Sequence, residues 1–112
     1  MNTLYGIKNC DTVKKARKWL EAQNIDYTFH DFRADGLSQA QAQTWFDELG
    51  EALINKRSTT WKQLSPAEQA QATQAPAALL VQHPTLIKRP LLDTGSERRV
   101  GFKADEYAQL LG

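Results

Sequence analysis

The chain opens on a short apolar run, Thr3-Leu4-Tyr5-Gly6-Ile7, rich in β-formers and bounded by polar residues, which predicts a first strand. Apolar residues then recur at helical spacing. Val13, Ala16 and Leu20, with Trp19 beside them, predict a helix from about Thr12 to Gln23 that ends near Asn24. Lys14, Lys15, Arg17 and Lys18 fall on its outward side. From Ile25 to Phe32 the pattern alternates, with Ile25, Tyr27 and Phe29 set against Asp26, Thr28 and His30. This is a second strand, parallel to the first across the intervening helix. Beyond Asp35-Gly36, Ser38 and Gln41 resemble a capping box that opens a helix carrying Ala42, Trp45, Phe46 and Leu49, with Gly50 as its stop. A helical turn is expected over 51–54, a polar, basic loop over 55–60, a helix opened by Ser65-Pro66-Ala67-Glu68, and another from Pro76 carrying Leu79, Leu80 and Val81. Pro90 to Thr94 and Arg99 to Phe102 read as the third and fourth strands, antiparallel about Gly95-Ser96. Ala104, Tyr107, Ala108 and Leu111 make a last amphipathic helix, with Gly112 as its stop.

Strand, helix, strand, a helical stretch, then two strands and a helix describe an α/β protein with a four-stranded mixed sheet. This is the thioredoxin-like plan with a helical insertion between strands two and three, at approximately 36–84 of a single 1–112 domain. A length of 112 residues fits one domain, and 41% hydrophobic with 24% charged residues is ordinary globular composition. A net charge of +1 offers no global attraction to nucleic acid or to a membrane surface. No apolar run is long enough to span a bilayer, and Met1-Asn2-Thr3-Leu4 does not read as a secretory signal. One cysteine requires no oxidising compartment, so a cytoplasmic protein is expected.

That cysteine, Cys10, stands where the first strand gives way to the first helix. A helix N-terminus favours the thiolate, the nucleophilic form of the side chain, and Asn9 and Thr12 are candidate hydrogen-bond donors to the sulfur. Lys8, Lys14 and Arg89 are cations available to assist, whereas Asp11 acts in the opposite sense. The competing reading is a small buried apolar side chain, a common fate of a single cysteine. His30 and His83 have no partners at ligand spacing, so no metal site is expected. Lys14 to Lys18 read as a solvated helix face.

Two stretches carry a resemblance. Leu4-Tyr5-Gly6-Ile7-Lys8-Asn9-Cys10-Asp11-Thr12-Val13-Lys14-Lys15-Ala16 and His83-Pro84-Thr85-Leu86-Ile87-Lys88-Arg89-Pro90-Leu91 resemble the arsenate reductase ArsC, Spx and YffB family, in the order and at the separation found there. Tyr-Gly-Ile-Lys-Asn-Cys-Asp-Thr and Ile-Lys-Arg-Pro-Leu-Leu point to its YffB-like branch. The resemblance implies a thioredoxin-like fold with a helical insertion, a redox role for Cys10, and a cis Arg89-Pro90 bond across from the thiol.

The departures refine it. The glutaredoxin-coupled arsenate reductases have a histidine at the position of Gly6 and three arginines around the oxyanion. Here Arg89 aligns with one of them, whereas Asn55 and Phe102 stand at the other two, with Arg57 beside the first and Arg98 and Arg99 near the second. Many Spx proteins have a second cysteine where this chain has Val13. The phosphatase-like reductases need Cys-x5-Arg, and residue 16 is Ala. The resemblance therefore implies a glutathione-dependent thiol oxidoreductase with one redox cysteine, an ArsC-like reductase for which arsenate itself is not indicated. Cys10 would be catalytic, and Asn9, Asp11, Thr12, Arg57, Arg89 and Pro90 would bind substrate or glutathione. No cofactor would be bound; glutathione would be the co-substrate, with a glutathione or a glutaredoxin releasing the mixed disulfide. The alternative is a non-catalytic Spx-like regulator that binds RNA polymerase and uses Cys10 as a sensor.

Overall fold

A computed structural model describes residues 2–111, so the expected stop at Gly112 lies outside the described residues. The chain divides into two compact units, one of residues 2–35 with 89–111 and one of residues 36–88. The first unit holds the sheet: β1 (Thr3–Gly6), β2 (Thr28–Asp31), β3 (Leu91–Asp93) and β4 (Arg98–Val100), in the order β2-β1-β3-β4. β1 pairs in parallel with β2, and antiparallel with β3, which pairs antiparallel with β4. This is the mixed, thioredoxin-like sheet that the alternation and the turn at Gly95-Ser96 predict.

Helix α1 (Asp11–Ala22) joins the two parallel strands and buries Val13, Ala16 and Leu20, the residues that set its period. Asn24 stops it in the left-handed region at φ 57°. The Asn24 and Ile25 amides return to the carbonyls of Glu21 and Leu20 at 3.1 and 3.0 Å, satisfying acceptors that the helix end would leave open. Leu4, Ala16, Leu20, Leu92 and Tyr107 form a buried cluster, with Ile25, Tyr27 and Phe29 packed against it. The register puts Leu4 between Phe29 and Leu92, so α1 and the last helix (Ala104–Leu111) share one face of the sheet. The alternation from Ile25 to Phe29 thus reports a real inward face, although strand pairing covers only Thr28–Asp31. Phe32 leaves the strand and starts α2, a single turn at Phe32–Asp35.

In the second unit α3 (Gln39–Leu49) packs along α6 (Pro76–Gln82), and α4 (Thr59–Gln63) and α5 (Pro66–Gln74) lie between them in sequence. Short 3-10 turns at Gly50–Leu53 and Pro84–Leu86 lead into an antiparallel bridge between Ile54 and Ile87. Ser65 and Glu68 form the full reciprocal capping box; Ser38 makes only its own half, accepting from the Gln41 amide. The loop expected over 55–60 is shorter. Ser58 accepts from the Trp61 amide at 3.1 Å and opens α4 at Thr59. No helix of the described residues is long and apolar enough to cross a membrane. The last helix is numbered α7.

Candidate active site

Cys10 is the N-cap of α1, with extended backbone at φ −89° and ψ 125°. Its amide donates to the Ile7 carbonyl at 3.1 Å, closing the turn after β1, and its carbonyl accepts from the Lys14 amide at 3.0 Å as the first helical bond. The amides of the first helical turn have no partners within the helix, which gives this end its positive character. Cys10 is half-buried and unoxidised, and its side chain makes no cap hydrogen bond. A thiolate here would lie at the positive end of α1 on a residue that stays half-exposed. Asn9, Asp11 and Thr12 are exposed around it, and neither Asn9 nor Thr12 hydrogen-bonds the sulfur. Asp11, inside the first turn, already places one negative charge at this end.

Gly6, at the end of β1, lies directly against Val13 of α1. A Cβ on residue 6 would stand 2.7 Å from Val13 Cγ2 and 3.3 Å from Cγ1. The two positions at which this chain departs from the His and Cys-x-x-Cys patterns are therefore in contact with each other.

The Arg89-Pro90 peptide is cis. Tyr5 opposes Leu91 in the antiparallel register, which carries Pro90 to the level of Gly6, at the end of β1 that runs into the cysteine turn. Pro90 is buried and sits just before β3 rather than in it; its carbonyl accepts from the Gly101 amide at 2.9 Å. Arg89 is half-buried, and its guanidinium has no carboxylate partner among the described residues.

Asp31 is a functional candidate that the sequence reading passed over as a strand residue. Its Oδ2 accepts from the Lys8 amide at 3.1 Å, and its Oδ1 accepts from the Arg33 and Ala34 amides at 2.8 and 3.4 Å. Partial burial works to raise its pKa, but the three backbone hydrogen bonds and the Arg33 cation outweigh it and hold the carboxyl below its ordinary value. The sequence signal was present in Asp31-Phe32-Arg33-Ala34-Asp35, an acidic N-cap ahead of one helical turn.

Arg57 belongs to the second unit. It is exposed and lines a cavity of about 740 Å³ with Glu51, Ala52, Ile54, Asn55, Lys56 and Lys88. Asn55 Oδ1 accepts from the Arg57 amide at 3.1 Å and shapes the turn. The Asn55 amide donates to the Leu86 carbonyl at 2.7 Å, and the Lys88 amide to the Leu53 carbonyl at 2.8 Å, so Lys88 joins the cavity across the bridge. Lys56 is engaged with Glu51 at 3.5 Å and sits over the Trp61 ring at 5.6 Å. The remaining histidines have other neighbours. His30 packs against Tyr5 at 4.9 Å between ring centroids, and His83 lies 3.8 Å from Glu68.

A family model described as the ArsC family matches residues 5–110. The chain belongs to the ArsC family. A solved member named YffB superposes with a TM-score of 0.93 at 41% identity and covers 100% of both chains. An uncharacterized protein of Haemophilus influenzae is 46% identical over 113 residues, 96% of each chain. The global transcriptional regulator Spx of Bacillus subtilis is 27% identical over 114 residues, covering 99% of this chain and 87% of the regulator. Within the ArsC family fold, Cys10, Asn9, Asp11, Thr12, Arg89 and Pro90 all belong to the first unit, and Arg57 to the second.

Proposed function

We propose that this ArsC-family protein is a thiol oxidoreductase that works through Cys10 alone and uses glutathione as its co-substrate. The observation that carries the reading is the position of Cys10, half-buried at the N-cap of a twelve-residue helix and making no side-chain cap hydrogen bond. The Cys10 thiolate attacks the glutathione sulfur of a mixed disulfide, forms a Cys10–glutathione disulfide and expels the substrate thiolate. A second glutathione thiolate, or that of a glutaredoxin, then attacks the glutathione sulfur. It releases the Cys10 thiolate and carries away the oxidised pair. No second protein cysteine enters this cycle, which fits a chain with one. Arg89, a guanidinium without a carboxylate partner among the described residues, is suited to a glutathione carboxylate or a substrate oxyanion, and Arg57 is suited to the same kind of anion in the cavity of the second unit. Asn9, Asp11 and Thr12 adjoin Cys10 in sequence, and Pro90 stands at the level of Gly6 in the strand register. The site lies in a protein read as cytoplasmic, where glutathione is the abundant small thiol.

The test is incubation with oxidised glutathione followed by intact-mass measurement, together with a glutathione-reductase-coupled turnover assay. Wild type is expected to gain one glutathione at Cys10 and to turn over, and Cys10→Ser to do neither. Turnover that survives in Cys10→Ser would overturn the proposal. The similarity to Spx over nearly the whole chain favours a second reading, a non-catalytic regulator that binds RNA polymerase and uses Cys10 as a sensor. It requires RNA polymerase to be retained by the immobilised protein, and a pull-down without it removes that reading.

A further inference from the structure

Beyond the thiol itself, the Asp31 side chain ties the cysteine turn to the sheet. We infer that Asp31 is the positioning residue of Cys10, its carboxylate holding the turn between β1 and α1 through the Lys8 amide. The inference rests on the reading of Cys10 as a nucleophile and deepens it.

The last pair of the parallel ladder is Gly6 with Asp31. The ladder ends there, and the Asp31 side chain continues the connection: Oδ2 takes the Lys8 amide at 3.1 Å, two residues before Cys10. The Cys10 amide in turn closes on Ile7 at 3.1 Å. Two amides of the turn are thus fixed, one by the carboxylate and one by the turn's own carbonyl. The carboxylate is itself held. Oδ1 caps α2 through the Arg33 and Ala34 amides, and the Asp31 amide donates to Asp35 Oδ2 at 3.0 Å. The two carboxylate oxygens divide the work, Oδ2 on Lys8 and Oδ1 on α2, whereas an amide in the same place would set a donating NH2 against one of these N–H groups. Hydrogen bonds to an ionised acceptor are the stronger ones, and a nucleophile held in its attacking geometry gains rate from that restraint.

Two roles predict opposite signs. If Asp31 acted only as a nearby negative charge, neutralising it would favour the Cys10 thiolate and speed its alkylation. If it positions the turn, losing the Lys8 bond slows alkylation. Asp31→Ser keeps a hydroxyl cap for α2 but cannot reach Lys8, and Asp31→Asn keeps the shape with one acceptor oxygen. Both are expected to slow iodoacetamide alkylation of Cys10 by roughly fivefold or more, with faster amide exchange at Lys8. Asp35→Ala loosens α2 without touching Lys8 and is expected to stay within about twofold of wild type. Alkylation that is unchanged or faster in the Asp31 variants overturns the inference, as does equal slowing in Asp35→Ala. Amide exchange on the wild-type protein gives an answer that needs no variant: the Lys8 amide is expected to exchange slowly despite the exposure of that residue, and free exchange overturns the assignment. Alkylation needs no glutathione, so failure to form the glutathione adduct would remove the redox reading and leave this result standing.

Discussion

At the level of single residues, Gly6 and Val13 pack against each other on either side of the cysteine turn. Valine is stiff at χ1, and Val13 is fully buried in the first turn of α1, so it cannot swing away from a neighbour that grows. A side chain at residue 6 would meet it at 2.7 Å. Gly6→Ala is therefore expected to cost about 1–3 kcal/mol through overpacking. Val13→Ala removes buried methyl groups and costs stability by itself. The double variant is expected to be more stable than the sum of the two predicts, because the smaller residue 13 accommodates the new Cβ. Urea unfolding of the four proteins measures this, and strictly additive losses would refute the coupling. Cys10, Gly6 and Val13 were each legible in the sequence as elements of a motif. Their contact was not, because it depends on the path of the turn between β1 and α1. For the same reason Asp31 was missed, since its role appears only once β2 lies beside β1.

The legibility of whole elements followed how strongly each buries one face. α1 has a full apolar stripe, and Val13, Ala16 and Leu20 are all buried as its spacing required. α4 has no buried residue and begins inside a polar stretch, so periodicity could not reveal it; its organisation comes from the Ser58 cap and the Trp61 backbone. α5 likewise buries nothing, yet it was predictable, because its start is encoded locally in Ser65-Pro66-Ala67-Glu68. With little tertiary packing to hold it, α5 should depend on that start more than the other helices do. The Ser65 amide donates to Glu68 Oε1 at 3.0 Å and Ser65 Oγ accepts from the Glu68 amide at 3.2 Å. These bonds from Ser65 hold the Glu68 carboxyl below its ordinary pKa. Ser65→Ala is expected to cost about 0.5–2 kcal/mol, expressed locally as faster amide exchange in α5. Unchanged exchange along residues 66–74 would show that something other than the cap holds the helix.

Across the molecule, the first unit is assembled from the two ends of the chain, and its centre is β1. That strand has β2 on one side and β3 on the other and runs straight into the cysteine turn. Leu4 of β1 opposes Leu92 of β3, and around this pair gather Ala16 and Leu20 from α1 and Tyr107 from α7. The thiol is therefore carried on a strand whose burial is completed only by residues that follow it by more than eighty positions. Such an arrangement is visible in the sequence as matching apolar patterns, but the pairing of Leu4 with Leu92 is not, because a strand pattern shows a face and not a partner. Leu92 is fully buried, and truncating it leaves a cavity between strand and helices. Leu92→Ala is expected to lower unfolding stability by about 2–5 kcal/mol, whereas Leu111→Ala, at the half-buried rim of the same cluster, should lose distinctly less. Because Cys10 follows β1 directly, alkylation of Cys10 across a urea series should accelerate at a lower urea concentration in Leu92→Ala, in step with the loss of sheet signal. A Leu92 variant that unfolds at the wild-type midpoint would mean that the strand carrying the thiol draws its stability from elsewhere.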